Sequence, residues 1–129
     1  MARWKIKNVG MKGVAMAVPE NVVKTSDFDF FSQEEAEVFD NTVGIRRRHI
    51  APDNMCASDM CQAAAEKLLE ELGWERDSID VLLFESVTGD YRTPPTSCIL
   101  QDRLALSENC FCMDIPMAVS YTHLRAHET

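Results

Sequence analysis

Asp77-Ser78-Ile79-Asp80-Val81-Leu82-Leu83-Phe84-Glu85-Ser86-Val87 is the stretch that decides the fold. From Ile79 to Phe84 the apolar residues are nearly continuous, in a run too short for an ordinary helix. A run like this reads as a strand buried on both faces, as in a parallel sheet. The residues upstream supply a helix to pack against it. Ser58 and Asp59 open that helix, Cys61, Ala65, Leu68, Leu69 and Leu72 share one face, and Gly73 ends it. Downstream, a loop from Thr88 to Pro95 with Gly89 and two prolines leads into a short helix from about Thr96 to Leu104. A second buried strand is expected from Cys110 to Ile115. Strand, helix, strand in this order gives a parallel pair with a crossover helix, and so an α/β fold.

Further towards the N-terminus, Ser32 with Glu35 three residues on has the pattern of a capping box. Ala36, Phe39 and Val43 form the apolar face of the helix it begins, and Gly44 is its stop. From Trp4 to Val18, Ile6, Val9, Val14, Met16 and Val18 are spaced among Gly10 and Gly13, which suits a bent strand or hairpin. Pro19-Glu20-Asn21 then turns the chain. The 129 residues, 46% hydrophobic and 26% charged, are enough for one sizeable core.

Charge and cysteine usage narrow the function classes. With 13 Lys and Arg against 21 Asp and Glu, the net charge is −8, so the overall field repels nucleic acid and anionic membrane. No apolar run approaches the roughly 20 residues of a membrane span, and Met1 to Gly10 lacks the apolar block of a signal peptide. Five cysteines without small-scaffold spacing point to free thiols in a cytoplasmic protein.

Few constellations carry chemistry. Arg46, Arg47, Arg48 and His49 are the only basic cluster. Arginine forks there match phosphate or an acidic carrier protein, and the plainer reading is a solvated segment with one internal salt bridge. Asp90, Tyr91 and Arg92 occupy a loop after a buried strand, where α/β proteins place ligand contacts. Cys110 and Cys112, two apart on a strand, point to one face and read as core residues. Cys56 and Cys61 stand five apart, and no CxxC pair is present, so no metal site is expected. Gly10-Met11-Lys12-Gly13 lacks the spacing of a dinucleotide or phosphate loop.

The pattern changes after Met117. Val119-Ser120-Tyr121-Thr122-His123-Leu124-Arg125-Ala126-His127-Glu128-Thr129 is similar, residue for residue, to one reading frame of a common transposon-end sequencing adapter. Residues 119–129 are therefore expected to be a non-native tail and 1–118 the natural portion. That sets aside two tempting motifs, His123 with His127 as a metal pair and Ser120 with His123 as nucleophile and base.

Taken in order, the segments of residues 1–118 resemble the N-terminal part of the 3-oxoacyl-acyl-carrier-protein synthase III family of thiolase-like condensing enzymes. Val18-Pro19-Glu20-Asn21-Val22-Val23 is similar to the family's "LPE" exit from its first strand, and Val43-Gly44-Ile45-Arg46-Arg47-Arg48-His49-Ile50 to its "TGIxxR" segment. Ser58 to Leu72, Ile79-Asp80 and Pro94-Pro95-Thr96-Ser97-Cys98 follow at the family's spacing, and Met113-Asp114-Ile115 resembles its "FDI" strand.

The resemblance implies an incomplete N-terminal half of a thiolase-like fold, with a mixed, mainly parallel sheet and crossover helices. It implies a decarboxylating Claisen condensation of an acyl thioester with malonyl-acyl-carrier protein, without a cofactor. Acyl-CoA or acyl-carrier-protein thioesters would be the substrates, the acyl-carrier protein a partner, and the full-length parent a homodimer. The family's nucleophilic cysteine falls at position 119, which is Val119 here, and its catalytic His and Asn lie further on, so the chain as written is expected to be inactive. Arg46 and Thr93 are the substrate-binding positions carried over. Thr93 replaces an aromatic of the acyl pocket, Val38 the CoA-stacking tryptophan, and Thr42 an arginine. Rival readings are a hydroxymethylglutaryl-CoA synthase-like or secondary-metabolite acyltransferase, and a non-catalytic binding or partner module.

Overall fold

The computed structural model describes residues 7–118. Its elements in chain order are β1 (Val22–Lys24), α1 (Gln33–Val43), β2 (Arg47–His49), α2 (Ala57–Leu72), β3 (Val81–Glu85), α3 (Thr96–Arg103) and β4 (Phe111–Ile115). Single 3-10 turns at Thr25–Asp27 and Arg76–Ser78 join β1 to α1 and lead into β3.

Local signals set the helix ends. The Ser32 side chain accepts the Glu35 N–H, and the Glu35 carboxylate accepts the Ser32 N–H in return. Those bonds hold the Glu35 carboxyl below its usual range. Gly44 closes α1 at φ +77°, a left-handed conformation that favours glycine. Helix α2 starts two residues earlier than its polar residues suggest. Cys56 is the N-cap, and Asp59 reaches back to the Cys56 N–H at 2.8 Å from the first turn. Ser58 is thereby freed from capping and is fully buried.

The strands form two pairs. β1 and β2 are antiparallel, with Val22 opposite His49 and Lys24 opposite Arg47. β3 and β4 are parallel, with Val81 beside Phe111 and Phe84 beside Asp114, and α3 is the crossover between them. The core lies where α2 and α3 meet one face of β3 and β4. Leu104, Leu106 and Cys110 are buried there against Ala65, Leu69, Ile79, Leu82 and Cys112. Cys110 and Cys112 thus share one side of β4, as their spacing requires.

Two expectations are corrected. β3 is not covered on both faces. Phe84 is buried, but Val81 and Leu83 on the opposite face are 53% and 51% exposed, beside Phe111 at 58% and Met113 at 43%. A parallel sheet needs a layer on each side, and the described helices supply only one. The segment from Trp4 to Val18 is also not a hairpin. Residues 4–6 lie outside the described residues, and 7–18 run without a strand partner. Gly13 instead lies against α2, where a Cβ would meet Leu68 Cδ1 at 2.8 Å, and Val14 and Met16 face outwards.

Candidate functional site

The carboxyl ends of β3 and β4 open into a cavity of about 460 Å³, lined by Ser86, Thr88, Asp90, Tyr91, Arg92 and Asp114 among others. This is the end of a parallel sheet at which α/β proteins bind ligands. Asp114 forms its floor. Pro95, the N-cap of α3, has no side chain with which to cap the helix. The Asp114 carboxylate does so from the neighbouring strand, accepting the Thr96 N–H at 2.7 Å and the Ser97 N–H at 2.8 Å. Burial of this carboxyl would raise its pKa, but hydrogen bonds from Ser97 and Thr96 outweigh it and hold Asp114 below the usual carboxylate range.

Asp90 ties the loop over the cavity to both helices. Its carboxylate accepts the hydroxyl of buried Ser58, and its N–H donates to Thr96 Oγ1 at 3.1 Å. Arg103 completes the network, donating to Ser58 Oγ at 3.1 Å and Asp59 Oδ1 at 3.0 Å. The loop packs closely, since a Cβ on Gly89 would stand 3.2 Å from Thr96 Oγ1. Among the described residues, Asp90 Oδ1 and Ser97 Oγ are buried without a hydrogen-bond partner.

The loop motif Asp90-Tyr91-Arg92 divides. Asp90 is structural and half-buried, while Tyr91 and Arg92 stand exposed on the rim. Thr93 is also exposed, before a cis bond to Pro94. Arg46 is elsewhere, in a groove along α1 lined by Ser26, Glu34, Glu37, Asp40 and Asn41.

The basic cluster is not held by an internal salt bridge among the described residues. Strand alternation turns Arg48 inwards, 5.4 Å from the Phe39 ring centroid, where it donates to Thr25 Oγ1 at 3.3 Å. The cation gains more from an aromatic face and a buried hydroxyl than from a solvated carboxylate. Thr25 in turn donates to Asp40 at 2.6 Å, and His49 Nδ1 donates to the Pro19 carbonyl at 2.6 Å. All five cysteines are free, and burial, then neighbouring Cys110, pushes the Cys112 thiol up to about 11. Val119, Ser120, His123 and His127 lie outside the described residues.

The Ser58–Asp90–Arg103 and Asp114–Thr96 contacts escaped sequence reasoning. One signal was available: Asp114 is a charged residue at a core-facing position of an apolar strand.

No protein-family model matches the chain. Curated relatives do. Beta-ketoacyl-[acyl-carrier-protein] synthase III of Geobacillus kaustophilus is 36% identical over 109 residues, which cover 84% of this chain and 35% of that protein. The Clostridium perfringens protein of the same name is 34% identical over 113 residues, 88% of this chain and 34% of the relative. Over the matched residues, the chain is similar to beta-ketoacyl-[acyl-carrier-protein] synthase III. It spans about a third of the length of these synthase III relatives.

Solved structures agree. The 3-oxoacyl-(acyl-carrier protein) synthase of Burkholderia xenovorans LB400 superposes with a TM-score of 0.73 at 37% identity, over 81% of this chain and 32% of that one. Xanthomonas campestris OleA, at 24% identity and a TM-score of 0.70, matches over 80% of this chain and 32% of its own, and shows the fold alone. The α/β architecture is thus that of the thiolase-like synthases, as the sequence order implied. Among the described residues, no helix is long and apolar enough to cross a membrane.

Proposed function

We propose that residues 1–118 are the N-terminal part of a cytoplasmic, homodimeric acyltransferase of the synthase III type. The observation that carries this reading is the likeness to synthase III along most of the chain, together with the parallel β3–α3–β4 unit that places a cavity at the strand ends. In the parent, a cysteine at position 119 attacks an acyl-CoA or acyl-carrier-protein thioester and releases the carrier thiol. Malonyl-acyl-carrier protein then loses carbon dioxide, and its carbanion attacks the acyl-cysteine. The new C–C bond forms as the cysteine thiolate leaves. Arg46 and Thr93 contact substrate in this reading, Thr93 leaving the acyl pocket wider than an aromatic would. No cofactor takes part. Val119 and the ten residues after it are adapter-derived, so the chain as written is inactive.

A chimaera tests this: residues 1–118 joined to the corresponding remainder of the G. kaustophilus relative, with Cys or Val at position 119. The Cys form should condense an acyl thioester with malonyl-acyl-carrier protein and release carbon dioxide, and the Val form should not form the acyl-enzyme. A folded Cys form that never becomes acylated would refute the proposal. Sequencing the source DNA across codons 117 to 125 with an adapter-free read tests the tail separately.

A further inference from the structure

The β1–β2 ribbon sets two cations face to face. Lys24 lies directly opposite Arg47, and Val22 opposite His49, with all four exposed. Residues directly opposite on an antiparallel pair have Cβ atoms about 4.5–5.5 Å apart, and like charges there repel. Among the described residues, neither cation forms an ion pair; the pairs found are Lys67–Glu71 and Arg103–Asp59. The Asp27 carboxylate accepts the Lys24 N–H and the Ser26 hydroxyl. Arg48 is turned to the other face by Phe39 and Thr25, and Arg46 lies in its acidic groove. In a chain of net charge −8, Lys24 and Arg47 therefore form a local positive face that opposes the overall field.

We propose that this outward face, Lys24 and Arg47 flanked by Val22 and His49, docks an acidic protein surface. The proposal rests on the function proposed above, under which the acyl-carrier protein is the partner that approaches it. Complementary charge here sets orientation and association rate more than buried area does. It also accounts for a like-charge pair that weakens the ribbon on its own.

The test titrates the full chain with apo acyl-carrier protein, which lacks the phosphate-bearing arm, at low and at physiological salt. Binding should weaken as salt shortens the Debye length from about 30 Å to about 8 Å. Arg47→Glu should raise Kd about tenfold at low salt, and Arg47→Gln should raise it less. The thermal midpoint of Arg47→Glu should hold or rise, because opposite charges then face each other across the ribbon. That separates a docking role from a structural one. Binding that ignores both salt and Arg47→Glu would overturn the docking face and leave the proposed function standing. Competition by millimolar inorganic phosphate would overturn it in favour of a small-anion site. No binding of apo carrier to the unaltered chain would overturn it too, while the chimaera assay decides the function independently.

Discussion

Asp114 and Thr96 are joined from strand to helix: the carboxylate at the end of β4 accepts the first backbone N–H of α3 at 2.7 Å. One side chain thus caps the helix and anchors the floor of the cavity. Asp114→Asn should cost about 1–2 kcal/mol at pH 7, the range for losing a cap or a charged hydrogen bond. The sign with pH follows from the lowered pKa of Asp114. Its contribution is fully present above the unfolded carboxylate value near 3.9 and is lost as pH falls through the folded one. Urea melts at pH 7 and pH 3 should show the variant's deficit shrinking in acid; an equal deficit at both would contradict this role.

Ser58 is buried at the start of α2 and donates to Asp90 while accepting from Arg103. Ser58→Ala should destabilise the chain by about 1–3 kcal/mol, since it leaves a half-buried carboxylate and a guanidinium short of a partner. Hydrogen exchange should show faster amides in the 86–95 loop. A melt within about 0.3 kcal/mol of the parent would show that water replaces the hydroxyl at no cost.

The cysteines should separate by alkylation. With its thiol near 11, Cys112 has a thiolate fraction at pH 8 about a hundredfold below that of an ordinary cysteine. Buried Cys110 should be slow as well, whereas exposed Cys56 and Cys98 should label first. Peptide mass spectrometry of the folded chain treated with iodoacetamide checks the order, and early modification of Cys112 would refute it.

The open face of β3 and β4, where Leu83 sits beside Met113, should drive self-association at raised concentration. Leu83→Lys should shift light scattering towards monomer at a stability change within about 0.5 kcal/mol, as for an exposed position. A parent chain that stays monomeric with a sharp melt would argue against an adhesive face.

These positions also show what the sequence can and cannot disclose. Ser32, Glu35 and Gly44 announced α1 because a cap is written in residues three or four apart. Cysteine is an unusual cap, so the sequence points past Cys56 to Ser58 two positions on. The apolar run of β3 marks a parallel strand, yet periodicity reports how a strand is built to be covered, not whether the described chain covers it. The Asp90 and Arg103 contacts join residues 32 and 45 positions from Ser58, and no local pattern encodes such a pairing. Arg48 could not be told from Arg46 and Arg47 until β2 had a register to divide them.

Because the cap of α3 is borrowed from β4, the helix cannot be completed by its own sequence. During synthesis Thr96 and Ser97 leave the ribosome before Asp114 does, and until then the first turn of α3 has only water for its N–H groups. Helix closure and strand docking are thereby coupled: pairing of β4 delivers the carboxylate that completes the first turn of α3.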